Sequence, residues 1–213
     1  DVLGSRGLGD VYKRQDMYGV IIKESKGYFV PYTLQKFETS EHGKIKRIIR
    51  DEQCFTKAQK GELTSKEFLS YLGYNFPEKT MEDYLKNYLT LDENFKNFAE
   101  KYSRIYDFCL LSNDVLEWSE FLTDYYQINH YFKEKIVSGE VHMRKPDKEI
   151  FVYTLEKLGC NAAQCVFVDN SVNNLLVAEK LGMKTILFNR DGVEYVGNVV
   201  DDFGTLGEML EGI

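Results

Sequence analysis

The sequence predicts an α/β protein in which a parallel sheet, covered by helices on both faces, accompanies an all-helical segment. After residue 104, short apolar runs alternate with amphipathic helical patterns. Runs that are apolar at every position are typical of strands buried on both faces, as in a parallel sheet between two helical layers. In residues 23–103 the apolar residues recur at helical spacing instead, and no strand is predicted. The chain therefore divides into a helical part and an alternating part.

Helix signals organise the helical part. Thr64 and Glu67 have the spacing of a capping box, in which each side chain bonds the backbone N–H of the other residue. Further helices are predicted to open at Thr80 and at Asp92. The basic run 44–50 alternates with isoleucines in the pattern of an amphipathic helix. We expect the many aromatic residues of this part to form its core.

The alternating part contains four predicted strands. They cover residues 108–111, 135–137, 166–168 and 185–188. Pro146 is expected at the first position of a helix, and Gly159 and Gly182 are expected to end helices. Polar residues follow the strands, and the carboxyl ends of parallel strands share one edge, where open α/β sheets bind their ligands.

The segment before Asp16 does not match an interior strand. Residues 5–15 agree, residue for residue, with the translation of a transposase-type sequencing adapter, so we expect residues 1–15 to be a non-native leader. The polar run 11–15 would deliver Asp16 to the sheet centre. Its charges would be costly in a covered sheet unless they reach solvent at the start of the strand.

Composition excludes several classes of function. A chain of 213 residues that is 43% hydrophobic and 29% charged is long enough for one good core and a smaller domain. The net charge of −7 argues against nucleic acid as a partner. No run reaches the roughly 18 apolar residues of a membrane span. The four cysteines lack metal-binding spacing, and reduced cysteines in a cytoplasmic protein are the expectation.

Four polar motifs occur in order along the chain. They are Asp16-Met17-Tyr18-Gly19-Val20, Leu110-Leu111-Ser112-Asn113, Met143-Arg144-Lys145-Pro146-Asp147, and Phe167-Val168-Asp169-Asn170 with Asn174. In order and spacing they resemble the motifs of haloacid dehalogenase-like (HAD) hydrolases, and within that superfamily the small sugar-phosphate phosphatases. The resemblance covers nearly everything after residue 15. It implies a Rossmann-like catalytic core, residues 16–22 and 104–213, with an all-helical cap domain, residues 23–103, inserted after the first motif.

The resemblance implies a nucleophile and a metal site. Asp16 is the nucleophile, because phosphoryl transfer through an enzyme carboxylate forms an aspartyl-phosphate intermediate. Asp16, Asp169 and the backbone carbonyl of Tyr18 are the expected ligands of Mg²⁺, which takes one or two carboxylates and keeps several waters. Asn170 has a supporting role, and it stands where many relatives have aspartate. One fewer negative charge there predicts weaker metal binding.

The remaining motif residues are expected to bind the phosphate group of the substrate. Ser112 and the amide of Asn113 would donate hydrogen bonds to its oxygens, and Lys145 would neutralise charge on phosphate and nucleophile. Asn174 would support the site. The expected activity is Mg²⁺-dependent hydrolysis of a small phosphorylated metabolite, such as a sugar phosphate.

Tyr18 departs from the phosphatase pattern and keeps two alternatives open. HAD phosphatases usually have an aspartate there, which acts as acid toward the leaving group and then as base toward water. A phenol is a poor base near pH 7, and loss of an acid/base group costs about 10²–10⁴ in rate. Tyrosine at this position also resembles 2-haloacid dehalogenases, which use no metal and have no need of Asp169. The third reading is a catalytically silent HAD-like binding or regulatory protein.

Overall fold

The computed structural model describes residues 12–24 and 28–212. The strands in these residues are β1 Tyr12–Gln15, β2 Asp107–Ser112, β3 Phe132–Val137, β4 Cys165–Asp169, β5 Lys184–Phe188 and β6 Asn198–Val200. The α-helices are α1 Phe29–Lys36, α2 His42–Arg50, α3 Cys54–Gln59, α4 Ser65–Leu72, α5 Pro77–Asn87, α6 Glu93–Tyr102, α7 Leu116–Tyr125, α8 Ser138–Val141, α9 Lys148–Leu158, α10 Val172–Lys180 and α11 Phe203–Glu211.

The strands form one parallel sheet in the order β3-β2-β1-β4-β5-β6. The predicted α/β fold is confirmed, and the four predicted strands lie within β2, β3, β4 and β5. Side chains that alternate along the strands pack into two cores, one on each face. The order of strands reverses direction at β1, so the site predicted at their carboxyl ends lies beside this switch point.

β1 is built from residues that the sequence assigned to the leader. Its backbone pairs with β2 on one side and β4 on the other, and Gln15 is in register with Leu110 and Val168. The Asp16 N–H continues the ladder by donating to the Val168 carbonyl over 3.1 Å. The backbone of residues 12–15 therefore fills the central position in spite of its polar sequence. The adapter origin of residues 5–15 stays a prediction, and residues 1–11 lie outside the described residues.

The helical insertion begins and ends at two paired linkers. Ile22 forms an antiparallel bridge with Leu91, and the Lys23 N–H donates to the Thr90 carbonyl over 2.9 Å. Helix α6 follows these linkers and packs on the sheet side of the molecule, with the Phe98 ring stacked on Phe108 and 5.2 Å from Phe203. The predicted cap boundary at residue 103 includes α6. We therefore propose a shorter cap of residues 23–90, which excludes that helix.

Three predictions about helices of the cap and its linker are confirmed. Thr64 and Glu67 form the capping box at the start of α4. Asp92 caps α6 by accepting from the Asn94 N–H. The basic run 44–50 lies in α2, and its three isoleucines are buried. The predicted start of one helix was wrong, since α5 begins at Pro77 rather than at Thr80. Proline suits the first position of a helix because the backbone N–H groups there have no partner within the helix, and proline has no N–H.

The prediction that Pro146 begins a helix was also wrong. Pro146 lies in the loop before α9, where the Asp147 N–H donates to the Arg144 carbonyl over 2.9 Å, and Asp147 is the N-cap residue. This turn fixes the backbone beside Lys145. β6 and α11 were not predicted. None of the helices in the described part combines the length and apolar character needed to cross a membrane.

The capping box offers a test of local stability. Replacing Thr64 with alanine is expected to lower the free energy of unfolding by about 1 kcal/mol, because the Glu67 N–H loses its side-chain acceptor. Thr64→Ser keeps that acceptor and is the matched control. Urea denaturation of both variants measures the difference. Equal midpoints for the alanine and serine variants would contradict the contribution assigned to this cap.

Candidate active site

An ammonium group held between two carboxylates forms the centre of the site. Lys145 Nζ lies 2.8 Å from Asp16 Oδ1 and 2.8 Å from Asp169 Oδ2, and it donates to the Leu111 carbonyl over 2.7 Å. The Lys145 side chain is 1% exposed and that of Asp169 is fully buried. The ends of β1 and β4 supply the carboxylates, and the loop before α9 supplies the lysine. Each buried charge is therefore paired, which buried charges require.

Asp169 is held in one orientation. Its Oδ1 accepts from the Ser171 N–H over 2.7 Å, and Asn174 Nδ2 lies 3.0 Å from both carboxylate oxygens. Together with Lys145, these donors engage both oxygens. Asn174, predicted as a supporting residue, reaches the carboxylate from the first turn of α10.

Asp16 differs because one of its oxygens has no hydrogen-bond partner within the part of the chain that the structure describes. Both of its polar contacts, from the Met17 N–H over 2.8 Å and from Lys145 Nζ, are made by Oδ1. Burial raises the pKa of Asp16, attraction to Lys145 lowers it, and repulsion from Asp169 raises it, with a net pKa of about 6. Burial lowers the pKa of Lys145, but the two carboxylates reverse that effect and raise it. Near pH 7 Asp16 is therefore mainly ionised and faces an ammonium ion.

Asn113 fixes the backbone of the lysine. Its Oδ1 accepts from the Lys145 N–H over 2.8 Å, and its Nδ2 donates to the Lys145 carbonyl over 2.7 Å. The Asn113 carbonyl accepts from Gln59 Nε2 of α3 over 3.1 Å. Asn113 thus connects the loop that carries Lys145 to a cap helix. Gln59 was missed in the sequence because nothing marks one polar residue of a short helix as a contact.

Ser112 ends β2 and is fully buried. Its Oγ has no hydrogen-bond partner within residues 12–24 and 28–212. A buried hydroxyl without a partner is uncommon in proteins and calls for one. An oxygen of a bound phosphate group would satisfy it, which is the role expected of Ser112.

The Tyr18 side chain is hydrogen-bonded to a second buried acid. Its hydroxyl donates to Asp114 Oδ2 over 3.0 Å, and Asp114 Oδ1 accepts from the Val115 N–H over 2.8 Å. Burial, then the charge of Asp114, raises the pKa of Tyr18 well above its usual value. Burial also raises the pKa of Asp114. The phenol therefore stays protonated. Asp114 was missed, although it directly follows the Ser112-Asn113 motif.

A cavity of about 470 Å³ opens onto these residues. The predicted site residues that line it are Asp16, Tyr18, Asn113, Lys145, Asn170 and Asn174. The predicted residues Asp169 and Ser112 are fully buried and contribute from within the core. A volume of this size is within the range of small-molecule sites.

The available donors suit a hard cation. The oxygens expected to hold Mg²⁺ belong to Asp16, Asp169 and the Tyr18 backbone, and Asn170 lines the same cavity. The described residues contain no cluster of three or more His, Cys, Asp or Glu side chains that could hold a metal. Two carboxylates and one carbonyl fit Mg²⁺, which needs only one or two carboxylates and keeps several of its water ligands. The carboxylates of Asp16 and Asp169 both accept hydrogen bonds, so each would exchange one for the cation, while Asp16 Oδ2 has no hydrogen-bond partner among the described residues.

A family model described as haloacid dehalogenase-like hydrolase matches residues 12–182. Glyceraldehyde 3-phosphate phosphatase of Methanothermobacter thermautotrophicus is 34% identical over 121 residues, which are 51% of this chain and 53% of that protein. The chain thus spans about half the length of this curated relative.

Two solved structures share the fold across nearly their whole length. A HAD family enzyme of Bacteroides thetaiotaomicron, in complex with magnesium and inorganic phosphate, superposes with a TM-score of 0.71 at 21% identity, over 88% of this chain and 98% of that chain. L-2-haloacid dehalogenase of Xanthobacter autotrophicus, with chloropropionic acid covalently bound, gives a TM-score of 0.68 at 15% identity, over 96% of this chain and 99% of that one. At these identities the likeness concerns the fold.

Proposed function

Because the chain belongs to the haloacid dehalogenase-like hydrolases, we propose that it is a Mg²⁺-dependent phosphomonoesterase that forms an aspartyl-phosphate on Asp16. The observation that carries the proposal is the bridge from Lys145 to both Asp16 and Asp169. It supplies positive charge where two anions, the carboxylate and the phosphate, must approach each other. The phosphatase named among the relatives supports the same class of substrate, a small phosphorylated compound.

In the first step, Asp16 Oδ2 attacks phosphorus and the phosphorus–ester oxygen bond breaks. The electron pair leaves with the ester oxygen, which takes a proton from water. Lys145 neutralises charge on the nucleophile and the phosphate, while the Ser112 hydroxyl and the backbone N–H of Asn113 donate to phosphate oxygens. Held by Asp16, Asp169 and the Tyr18 carbonyl, Mg²⁺ would neutralise further charge on the phosphate.

In the second step, water attacks phosphorus and the bond to Asp16 breaks, which restores the carboxylate and releases inorganic phosphate. Both steps benefit from a proton-transfer group beside the nucleophile. Tyr18 cannot accept that proton near pH 7, because its hydroxyl is protonated and already donates to Asp114. Substrates with good leaving groups are therefore expected to react fastest.

A metal-independent 2-haloacid dehalogenase is the second candidate. Tyr18 favours it, because such enzymes resemble this chain at that position. Asp169 argues against it. Its carboxylate lies 2.8 Å from the ammonium of Lys145, beside Asp16, and it would repel the carboxylate of a 2-haloacid substrate. A catalytically silent binding protein would keep the pocket without either reaction.

Three assays on one purified sample separate these candidates. Phosphate release from p-nitrophenyl phosphate and small phosphorylated metabolites, abolished by a chelator and restored by Mg²⁺, is the expected result. Chloride release from 2-chloropropionate that persists with chelator would instead support the dehalogenase. Binding of inorganic phosphate without either reaction would support the silent protein.

The missing acid/base group can be restored by substitution. Tyr18→Asp alone would place a new carboxylate beside buried Asp114, so we pair it with Asp114→Asn. For alkyl phosphates, whose leaving groups need a proton, the double variant is expected to raise kcat by about 10²-fold. For p-nitrophenyl phosphate the gain should be much smaller. Steady-state rates with both esters measure this, and Asp114→Asn alone is the control. An unchanged or lower rate with alkyl phosphates would show that proton transfer does not limit the enzyme.

A further inference from the structure

One side of the cavity consists of aromatic rings from the cap and from one core helix. We call it the aromatic wall, and its members are Tyr28, Phe29, Phe55, Tyr84 and Trp118. The rings of Phe29, Phe55 and Tyr84 lie 5.2, 5.7 and 5.4 Å from the Trp118 ring. Four elements, α1, α3, α5 and α7, therefore meet at one indole.

Three rings of the aromatic wall are almost fully buried by their neighbours. Phe29 is 3% exposed, Tyr84 4% and Trp118 1%. Trp118 Nε1 donates to Ser65 Oγ over 2.7 Å, so its single polar atom is satisfied within the protein. The indole is almost fully buried and supports the other rings, and the more accessible ring surface of the wall belongs to Tyr28, which is 49% exposed, and to the half-buried Phe55. The wall thus presents a preformed apolar surface to the same cavity that reaches Asp16.

Most polar residues of the described lining come from the core side of the cavity, from the loops after β1, β2 and β4, the start of α10 and the loop before α9, whereas the cap side offers few polar groups. Apart from the tyrosine hydroxyls, Gln59 is the polar cap side chain lining the described part of the cavity, and its amide already donates to the Asn113 carbonyl. The cations among the described lining residues are Arg144 and Lys145, which are adjacent in the loop before α9. A sugar would bring several hydroxyls against this wall, and each one that loses water without finding a partner is unfavourable.

We propose that the organic group of the substrate is apolar, so that the enzyme prefers aryl or alkyl phosphates to the sugar phosphates suggested by motif resemblance. The proposal rests on the proposed phosphatase function, because it assumes that the phosphate lies at Asp16 and the organic group extends to the aromatic wall. The cavity volume leaves room for both. Burial of the apolar group then supplies the binding energy that distinguishes substrates.

A series of straight-chain alkyl phosphates tests this preference. From methyl to hexyl phosphate, kcat/KM is expected to rise about fourfold per methylene until the wall is covered, since each buried methylene is worth about 0.8 kcal/mol. Glucose 6-phosphate and glyceraldehyde 3-phosphate should be poorer substrates than hexyl phosphate. Phosphate release that is equal along the series, or faster with the sugar phosphates, would overturn the inference while leaving the phosphatase function intact. No phosphate release from any ester would overturn the proposed function, and this inference with it.

A matched pair of cap variants locates the effect. Phe55→Ala removes a ring of the aromatic wall, and the ratio of kcat/KM for hexyl phosphate to that for methyl phosphate is expected to fall about tenfold. Phe76→Ala removes a ring that is 67% exposed and does not line the cavity, so the ratio should not change. Phe55→Leu, which keeps more of the packing, should give an intermediate ratio if the alanine variant does not fold. The same ratio in wild type and both Phe55 variants would contradict the role of the wall.

Discussion

Replacing Asp16 with asparagine is expected to lower the phosphatase kcat by a factor of about 10⁴ or more, because an amide oxygen cannot form the phosphoryl intermediate. The substitution keeps the shape of the side chain and an oxygen to accept the Met17 N–H. It also removes a charge whose burial is unfavourable, as the raised pKa of Asp16 indicates. The variant should therefore fold, and loss of activity can be assigned to chemistry.

The measurement is kcat with p-nitrophenyl phosphate at saturating Mg²⁺. Asp201→Asn removes an exposed carboxylate and serves as the matched control with wild-type activity. Thermal unfolding of both variants should resemble wild type. Turnover that is undiminished in Asp16→Asn would refute Asp16 as the nucleophile.

Replacing Lys145 with methionine is expected to have the largest effect on stability. The change leaves Asp16 and Asp169 buried without their shared cation, and removing one partner of a buried charge pair costs about 3–5 kcal/mol. The methionine keeps most of the side-chain volume, so loss of packing is a minor part. Activity should also disappear, because the phosphate and nucleophile lose their common counter-charge.

Urea denaturation measures this cost, and Lys148→Met, at an exposed position of α9, is the control. Adding Asp169→Asn to Lys145→Met removes one of the two unpaired charges. The double variant should regain part of the lost stability, because one buried charge fewer is left without a partner. The effects of the two substitutions on the free energy of unfolding are therefore not additive. A change below about 1 kcal/mol in Lys145→Met would contradict the description of the bridge as a buried, mutually dependent set.

The part of the site that depends on sheet topology could be predicted from the sequence. The predicted strand 166–168 leads to Asp169, and the motif resemblance, rather than an apolar run, set Asp16 beside it. The structure brings both carboxylates together with Lys145. The contact between Tyr18 and Asp114 could not be predicted. It joins residues 96 positions apart, and no sequence pattern around either residue indicates its partner.

Elements with atypical sequences were the ones predicted least well. β1 is polar in sequence, and its backbone nevertheless pairs with β2 and β4. β6 has three residues, two of them exposed, which leaves no apolar run to recognise. The aromatic residues of the cap were expected in its core, and this holds for part of them: Phe29, Tyr32, Phe68 and Tyr84 are buried, whereas Tyr28, Tyr71 and Phe76 are exposed. The packing of the cap helices on Trp118 decides which aromatic rings border the cavity. A helical pattern in the sequence does not predict that packing.

The central claim is that Asp16 carries the phosphoryl group during turnover. Because Tyr18 cannot act as base toward water, the second step should be slow, and the aspartyl-phosphate should accumulate with an ester whose leaving group needs no acid. Acid quenching during the first turnover of p-nitrophenyl phosphate, followed by peptide mass spectrometry, detects it. The predicted result is a phosphoryl group on the peptide containing Asp16, with a matching burst of p-nitrophenol, and neither in Asp16→Asn. Steady phosphate release from the wild-type protein without a burst and without a modified Asp16 would contradict the account.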